Sequence, residues 1–247
     1  MKIDLNADVG EGFGAYEWGS DDILLQTVSS ANIACGFHAG DPHTMRKAVE
    51  ACLAAGTAIG AHPGLPDRLG FGRREMAVSS EEAGDIVLYQ IGALQGFVNA
   101  LGGRLRHVKL HGALYHMAAK EEELALSVAG AVHALDPQLL LYGLPGSRLA
   151  EAALKLGLRY VAEGFTDRAY AEDGSLVPRR QPGAVLERTE EMVSQALSLA
   201  RRGRFETLCV HGDTPQAAEH ARKIAESLRA AGIAIAPPEA TKTEFVE

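Results

Sequence analysis

Titratable side chains recur beside glycines at six places along the sequence, and each place lies at the end of a short apolar run. Histidine, aspartate, glutamate and lysine side chains transfer protons, hold metal ions and bind small anions. Glycine lets the backbone turn sharply and approach a ligand closely. The six places contain Asp8 with Glu11, His38, His62, Lys109 with His111, Glu163 with Arg168, and His211 with Asp213. This pattern predicts one site assembled from six separate segments.

Two kinds of chemistry suit such a set of side chains. In the first, Asp8, His38 and His62 hold a divalent metal ion that activates water for amide hydrolysis. In the second, which needs no metal, carboxylates position or deprotonate water while Lys109 and Arg168 hold an anionic substrate. Each candidate comes from a different segment, so the spacing is compatible with both, and both stay open.

Lys109 lies inside an apolar run, next to His111. A buried lysine normally needs an anionic partner. The partner is either an acid of the protein such as Glu163, in a structural salt bridge, or the substrate, and we favour the substrate. Asp213 can cap a following helix and also contact the ligand, whereas we assign Asp41 to capping alone.

The remaining five histidines do not share the placement of the other four. We interpret His43, His107, His133 and His220 as ordinary hydrogen-bonded residues, in predicted helices or ahead of a strand. His116 follows the fourth cluster closely, and either role is open to it.

The 69–74 segment, with the sequence LGFGRR, combines glycine amides with arginines, and both suit oxyanions. It fits a phosphate-binding loop and an ordinary flexible turn about equally well. The chain contains no GxxxxGK[ST] phosphate loop, no GxSxG elbow and no HExxH motif. Self-contained P-loop use of ATP and serine hydrolysis are therefore not supported.

Strand-like apolar runs alternate with stretches of helical spacing along the whole chain. This rhythm, repeated seven times, is typical of a parallel sheet covered by helices. The length, and the lack of a dinucleotide-binding glycine pattern after the first run, favour a TIM-like (β/α) barrel of about seven parallel strands, formed as a single domain over 1–247. The predicted strands are 3–7, 30–35, 58–61, 105–110, 139–142, 159–162 and 207–210, with a weaker run at 233–236. In such a barrel the carboxyl ends of the strands converge on one face, where the six clusters would meet.

Three helix starts are marked by capping residues or by a first-turn proline. They lie at Asp41-Pro42, at Ser79 with Glu82, and at Thr214-Pro215. The connections 63–78 and 165–184 are long for this fold, so we expect them to belong to the site. Asp173-Gly174 predicts a small hairpin within the second connection.

The composition limits the class of protein. Of 247 residues, 47% are hydrophobic and 23% are charged, which is typical of a globular chain with a large core. The net charge of −8 repels phosphates and so excludes nucleic acid as a partner. No apolar stretch predicts a membrane span or a signal peptide, and three scattered cysteines favour a reducing compartment. We therefore expect a cytoplasmic protein that binds neither nucleic acid nor membrane.

Six segments, in order and over nearly the whole chain, resemble the lactam-utilisation protein B-like family. They are 4–14 (DLNADVGEGFG), 30–41 (SANIACGFHAGD), 60–64 (GAHPG), 108–115 (VKLHGALY), 163–170 (EGFTDRAY) and 210–213 (VHGD). The resemblance implies a barrel related to the polysaccharide deacetylases. It also implies ATP-dependent opening of the lactam 5-oxo-L-proline (pyroglutamate) to L-glutamate, by an A subunit that works with partner subunits B and C and uses ATP as co-substrate.

For that substrate, we expect Lys109 or Arg168 to bind the carboxylate, and a carboxylate or a strand-end histidine to act as the general base. The candidate catalytic residues are Asp8, His38, His62, Glu163 and His211. The candidate substrate-binding residues are Glu11, Lys109, His111, Arg168 and Asp213. A divalent metal ion remains an open alternative. So do two other functions, a metal-dependent deacetylase or amidase that acts without partners, and a non-catalytic substrate-binding protein within the complex.

Overall fold

The computed structural model describes residues 1–16, 21–211 and 216–239, and its strands form one sheet. The strands are β1 (Lys2–Val9), β2 (Ser30–Ala34), β3 (Ala58–His62), β4 (Leu105–Lys109), β5 (Leu140–Gly143), β6 (Tyr160–Phe165), β7 (Thr207–Val210) and β8 (Ala234–Ile235). Strand β1 pairs in parallel with both β2 and β7, which closes β1–β7 into a barrel. The two-residue β8 pairs with the first residues of β1, outside that circuit. The predicted TIM-like barrel of seven parallel strands is confirmed.

Helices cover the outside of the barrel. They are α1 (Asp21–Leu25), α2 (Pro42–Ala55), α3 (Ser80–Ala100), α4 (Gly112–Lys120), α5 (Glu122–Leu135), α6 (Arg148–Lys155), α7 (Thr189–Arg201) and α8 (Ala217–Ala230). Helix α2 begins as predicted, with the Asp41 side chain accepting from the Thr44 amide, and α3 begins with a complete capping box. The predicted start at Thr214-Pro215 lies outside the described residues. None of the helices that are described is long and apolar enough to cross a membrane.

The strand β1 shows how the barrel separates its two faces. Its odd-numbered residues from Leu5 to Val9 are buried in the apolar layer between barrel and helices. Its even-numbered residues Asp4, Asn6 and Asp8 form hydrogen bonds inside the barrel, with partners on neighbouring strands. Because side chains alternate along a strand, one strand supplies apolar packing to the outside and polar groups to the inside.

Helix α3 provides much of the outer apolar layer. Its residues Val87, Ile91, Leu94 and Val98 are fully buried. Each such side chain stabilises the fold by roughly 1.5–3 kcal/mol relative to leaving it in water. This packing holds the strands in place without using the polar groups of the barrel interior.

Two strands run further than predicted, since β1 continues to Val9 and β6 continues to Phe165. Asp8 and Glu163, expected just after their strands, therefore lie within them. A charged residue does not end a strand when its side chain points into the barrel and meets an opposite charge there, as these two meet Lys109.

The lower part of the barrel interior is polar as well. The carboxylate of Asp4 accepts hydrogen bonds from the hydroxyls of Ser29, Ser30, Tyr142 and Thr207. Burial raises the pKa of Asp4, although these hydroxyls oppose the shift. The barrel is thus filled by a hydrogen-bonded layer beneath the mouth, which fixes the groups above it.

His107 lies in this lower layer. Its Nε2 donates to Asn32 Oδ1 at 2.8 Å, and its ring stacks on Tyr142 with centroids 4.2 Å apart. It is an ordinary hydrogen-bonded residue, as expected, but it lies inside the barrel and not ahead of a strand.

Candidate active site

The centre of the barrel mouth is an ion-paired group that we call the lysine centre, formed by Asp8, Lys109 and Glu163. Lys109 Nζ lies 2.9 Å from Asp8 Oδ1 and 3.1 Å from Glu163 Oε1, and all three side chains are buried. The ammonium also lies 3.2 Å from Asn6 Oδ1 and 3.0 Å from Cys209 Sγ. Acceptors of the protein therefore match all three N–H groups of the ammonium. The partner of Lys109 is thus an acid of the protein, as in the salt bridge with Glu163, and not the substrate that we favoured from the sequence.

The charges of the lysine centre stabilise one another. Burial alone opposes the charge on Lys109, but Asp8, Cys209 and Glu163 together raise its pKa well above the usual range. Burial likewise opposes the charge on Asp8, but His62 and Lys109 lower its pKa well below the usual range. Asp8 and Lys109 are thus held in their charged forms.

Several polar residues outside the predicted set hold the lysine centre in place. Asn32 Nδ2 donates to Asp8 Oδ1 at 2.9 Å, and Asn6 Nδ2 donates to Glu163 Oε1 at 3.1 Å. Tyr115 OH donates to Glu163 Oε2 at 2.8 Å. The sequence carries a signal for the two asparagines, because each is a polar residue inside an otherwise apolar strand.

Beside the lysine centre lies a second group that we call the histidine cluster, formed by Glu11, His38, His62 and His111. One donor atom from each lies within 4.8 Å of the others, and all four residues are buried. His62 Nε2 is 2.9 Å from His111 Nδ1, and Glu11 Oε1 is 3.5 Å from His38 Nε2 and 3.7 Å from His111 Nδ1. The structure thus brings together four of the predicted site residues on the loops and strand ends of β1, β2, β3 and β4.

Backbone carbonyls fix the ring orientation of two of these histidines. His62 Nδ1 donates to the carbonyl of Lys109, and His111 Nε2 donates to the carbonyl of Phe71, each at 2.8 Å. When both rings are neutral, each has one N–H, and the two nitrogens that face each other are then both acceptors. Burial and the neighbouring histidines lower the pKa of His38 and of His111 well below the usual range, which favours neutral rings.

His38 is packed flat against His111, with ring centroids 3.7 Å apart. It is fully buried, and neither of its ring nitrogens has a hydrogen-bond partner in the part of the chain that the structure describes. Buried polar atoms are nearly always partnered, so this ring offers acceptor capacity that the described protein groups do not use.

His211, which follows β7, is oriented by a carboxylate. Its Nδ1 lies 2.7 Å from Asp167 Oδ2, and its ring stacks on Phe165. One of its ring nitrogens also falls within 4.8 Å of donor atoms of Asp8 and Cys209. Burial opposes the charge on Asp167, but His211 lowers its pKa, so the carboxylate stays ionised. Asp167 is a residue that sequence reasoning missed, although it stands in the EGFTDRAY segment.

Arg168 lies on the long connection after β6 and is buried. Its guanidinium donates to the carbonyls of Val177 and Ala184. Burial, and then the charge of Arg179, lower the pKa of Arg168. The hairpin predicted at Asp173-Gly174 is confirmed by bridging of 170 with 176. Asp213, the other predicted substrate-binding residue of this region, lies outside the described residues.

The segment around Phe71 and Gly72 covers the histidine cluster. A Cβ atom on Gly72 would lie 2.8 Å from His38 Cβ and 2.9 Å from His111 Cδ2, so only glycine fits. Phe71 has φ of 53°, the only positive value for a non-glycine residue in the described ranges. Such a strained residue beside a functional site is held there by the surrounding contacts.

The contacts within this loop decide between the two interpretations of the 69–74 segment, a phosphate-binding loop and an ordinary turn. The amides of Gly70 and Gly72 donate to Asp67, and the amide of Arg73 donates to the carbonyl of Gly70. The Arg74 side chain pairs with the Asp67 carboxylate. These amides and this arginine are occupied within the turn, so the segment is a structured turn and not an open phosphate-binding loop.

The other histidines behave mostly as expected. His43 and His133 lie on helices with their side chains toward solvent, and His220 is hydrogen-bonded to Thr189. His116 is half-buried beside Tyr115, and burial lowers its pKa.

Comparison with known proteins gives the family. The model of the LamB/YcsF family matches residues 3–243. The chain is 51% identical to the A subunit of 5-oxoprolinase from Tolumonas auensis and 50% identical to that from Bacillus subtilis, over 95% of this chain and 98% and 96% of those relatives. The crystal structure of a lactam utilization protein from Thermus thermophilus superposes with a TM-score of 0.91 at 48% identity, covering 96% of this chain and 99% of that one.

More distant structures share only the barrel. A polysaccharide deacetylase from Bacillus cereus superposes with a TM-score of 0.54 at 14% identity, covering 98% of this chain and 94% of that one. That similarity confirms the expected deacetylase-type barrel. Because the family model matches nearly all of this chain, and because about half of the residues are identical to those of its relatives, the chain belongs to the LamB/YcsF family.

Proposed function

We propose that this chain is the A subunit of a 5-oxoprolinase, which opens the lactam ring of 5-oxo-L-proline to L-glutamate with hydrolysis of ATP. The observation that carries the proposal is the 50–51% identity, over nearly the full length, to relatives with that name. The barrel mouth supports it, because opening an amide needs groups that transfer protons and stabilise developing charge, and such groups converge there.

His211 is the general acid or base in this proposal. Asp8 and Glu163 are poor candidates, because both pair with the ammonium of Lys109, and they accept further hydrogen bonds from Asn32 and Tyr115 respectively. His211 has 12% of its side chain exposed, and Asp167 sets which of its nitrogens faces the site. A histidine oriented by a carboxylate can take a proton from water and return it to the ring nitrogen that leaves the carbonyl carbon.

Arg168 binds the substrate carboxylate in this proposal, and Lys109 does not. The N–H groups of Lys109 are occupied by acceptors of the protein, so it has none to offer. Arg168 is a buried cation whose described hydrogen bonds run to two carbonyls, and no carboxylate of the described residues forms an ion pair with it, although the charge of Asp167 acts on it. A carboxylate ligand would compensate that charge and form the strong charge-assisted hydrogen bonds that guanidinium favours.

ATP activates the lactam in this proposal. An amide is resonance-stabilised, so transfer of the terminal phosphoryl group from ATP to the amide oxygen, with release of ADP, gives an imidate that water can attack at carbon. Cleavage of the ring C–N bond in the adduct then leaves a γ-glutamyl phosphate, and a second water molecule hydrolyses this acyl phosphate to glutamate and phosphate. Because the amides at 70, 72 and 73 are used within their own turn, we assign the ATP phosphates to partner subunits B and C or to an interface with them.

We also place this protein in the cytoplasm. Cys35, Cys52 and Cys209 are free and buried, and burial raises the pKa of each thiol. Free thiols are typical of a reducing compartment.

The test is turnover by the three-subunit complex reconstituted from this chain and its partners, measured as glutamate formed from 5-oxoproline and ATP. We expect His211→Gln to lower kcat about 100-fold or more, the usual size of a lost acid–base group. Arg168→Met should raise KM more than it lowers kcat, because it removes substrate binding.

His133→Gln, on an exposed helical surface, is the matched control and should turn over normally. Near wild-type glutamate formation by both His211→Gln and Asp8→Asn would refute the assignment of the site. Turnover of 5-oxoproline by this chain without partners or ATP would refute the coupled reaction.

A further inference from the structure

We propose that Glu11, His38, His62 and His111 form a binding site for one divalent transition-metal ion. The inference rests on the geometry of these side chains and on the charge around them, whatever the substrate. It differs from the ligand set that the sequence suggests, because Glu11 supplies the carboxylate and Asp8 does not.

The two facing nitrogens are the first reason. His62 Nε2 and His111 Nδ1 are 2.9 Å apart, while their other nitrogens donate to the carbonyls of Lys109 and Phe71. Two lone pairs at this distance repel each other unless a positive charge lies between or beside them. A metal ion and a shared proton are the two ways to supply that charge.

The neighbouring donors favour the metal ion. His38 is fully buried, and both of its nitrogens lack a hydrogen-bond partner within the described ranges. Its Nε2 lies 3.5 Å from Glu11 Oε1, which in turn lies 3.7 Å from His111 Nδ1. One shared proton would form a hydrogen bond between His62 and His111 and leave His38 without a partner. A metal ion, in contrast, can accept lone pairs from all four residues at once.

The buried carboxylate of the cluster also suits a cation. Glu11 has about 5% of its side chain exposed, and its Oε1 lies within 4 Å of nitrogens of both His38 and His111. A cation bound where these acceptor atoms converge would be stabilised by the negative charge of that carboxylate.

Asp8 is excluded from the ligand set by its other contacts. Its Oδ1 accepts from Lys109 and from Asn32, each at 2.9 Å, and its Oδ2 lies 3.3 Å from His62 Nε2. Asp8 is also not among the four residues whose donor atoms all lie within 4.8 Å of one another, so we expect it to stay outside the metal's coordination sphere. Three imidazoles and one carboxylate select zinc, cobalt or a similar ion over magnesium or calcium. When bound, such an ion supplies Lewis-acid polarisation of an amide carbonyl.

The test measures metal binding directly. Purified chain is stripped with a chelator and titrated with Zn²⁺ and with Co²⁺, and binding is followed by calorimetry, by visible absorption of Co²⁺ and by elemental analysis. We expect one ion per chain for each metal, an upward shift of the thermal unfolding midpoint, and no binding of Mg²⁺. A wild-type chain that binds neither Zn²⁺ nor Co²⁺ would overturn the proposal in favour of a proton shared by His62 and His111.

Variants identify the ligands. Glu11→Gln and His38→Asn should each weaken Zn²⁺ binding more than about 10-fold, since even outer-sphere partners of a metal contribute that much. Asp8→Asn should retain one ion per chain, and His43→Ala, on the exposed face of α2, should bind as the wild type does. Circular dichroism and the unfolding midpoint establish that each variant is folded. Loss of the ion in Asp8→Asn with retention in Glu11→Gln would overturn the proposed ligand set.

Discussion

The mouth of the barrel contains two adjacent groups of buried polar side chains that differ in how their charges are compensated. In the lysine centre, Lys109 is paired with Asp8 and Glu163, and asparagine and tyrosine side chains fill the remaining hydrogen-bonding positions. In the histidine cluster, lone pairs face each other and His38 has no hydrogen-bond partner among the described residues. The charges of the lysine centre are compensated within the protein, whereas the lone pairs of the histidine cluster would be compensated by an added cation. The first is therefore part of the scaffold, and the second is suited to binding.

The largest expected effect comes from breaking the lysine centre. Lys109→Met leaves two carboxylates buried without their cation, so the free energy of unfolding should fall by about 3–5 kcal/mol. Urea denaturation monitored by circular dichroism measures this change. Lys155→Met, which removes an exposed ion pair with Glu122, is the control and should leave the urea midpoint close to that of the wild type, because exposed ion pairs contribute little to stability.

Addition of Glu163→Gln to Lys109→Met should recover part of the lost stability, because it removes one of the two stranded charges. A cost below about 1 kcal/mol for Lys109→Met alone would contradict the structural role of the lysine centre.

A smaller effect is expected at Asp41, which connects the segment carrying Glu11 to α2. Its carboxylate accepts from the amides of Gly14 and Thr44, and these bonds lower the pKa of Asp41 to about 2. Because the folded-state pKa is below the unfolded value, the charge stabilises the protein at neutral pH, and this contribution is lost as the pH falls from about 4 toward 2.

Asp41→Ala should therefore lower the free energy of unfolding by about 1 kcal/mol at pH 7, the usual value of a helix cap. The difference between wild type and variant should narrow as the pH is lowered to about 3, in urea titrations at each pH. A difference that stays constant over this range would show that the charge has no part in the effect.

The smallest effect on stability is expected in the histidine cluster, and it tests most directly whether this cluster differs from the lysine centre. His38→Leu, in protein stripped of metal, should change the free energy of unfolding by less than about 1 kcal/mol, because it replaces buried polar atoms that lack partners with an apolar group of similar size. A loss of about 3 kcal/mol or more in the metal-free protein, the size expected for a broken buried ion pair, would place His38 in the scaffold together with Lys109.

The sequence predicts the barrel well because barrel packing is local and periodic. The seven strands, the cap at Asp41 and the box at Ser79 all follow from short-range patterns of apolar and capping residues. The predicted ends of β1 and β6 fall too early, before Asp8 and Glu163. A charged residue resembles a boundary in sequence, and the lysine that pairs with both lies about a hundred and about fifty residues away.

The sequence predicts which residues lie in the candidate site, but it does not predict which of them contact each other. Convergence of strand ends identifies His38, His62 and His111 as neighbours, and the barrel does bring them together. The sequence does not contain the distances that assign Lys109 to Asp8 and Glu163, nor those that bring Asp167 to His211. These depend on side-chain directions from different strands, which periodicity does not specify.

The segment that covers the histidine cluster also determines its chemistry. The Phe71 carbonyl that accepts from His111 Nε2 belongs to that segment. Any movement that lifts the segment to admit a ligand takes this carbonyl away, and with it the constraint on which nitrogen of His111 carries the proton. The segment as it stands therefore makes Nδ1 of a neutral His111 the acceptor, and a segment lifted in this way would leave His111 able to present either nitrogen.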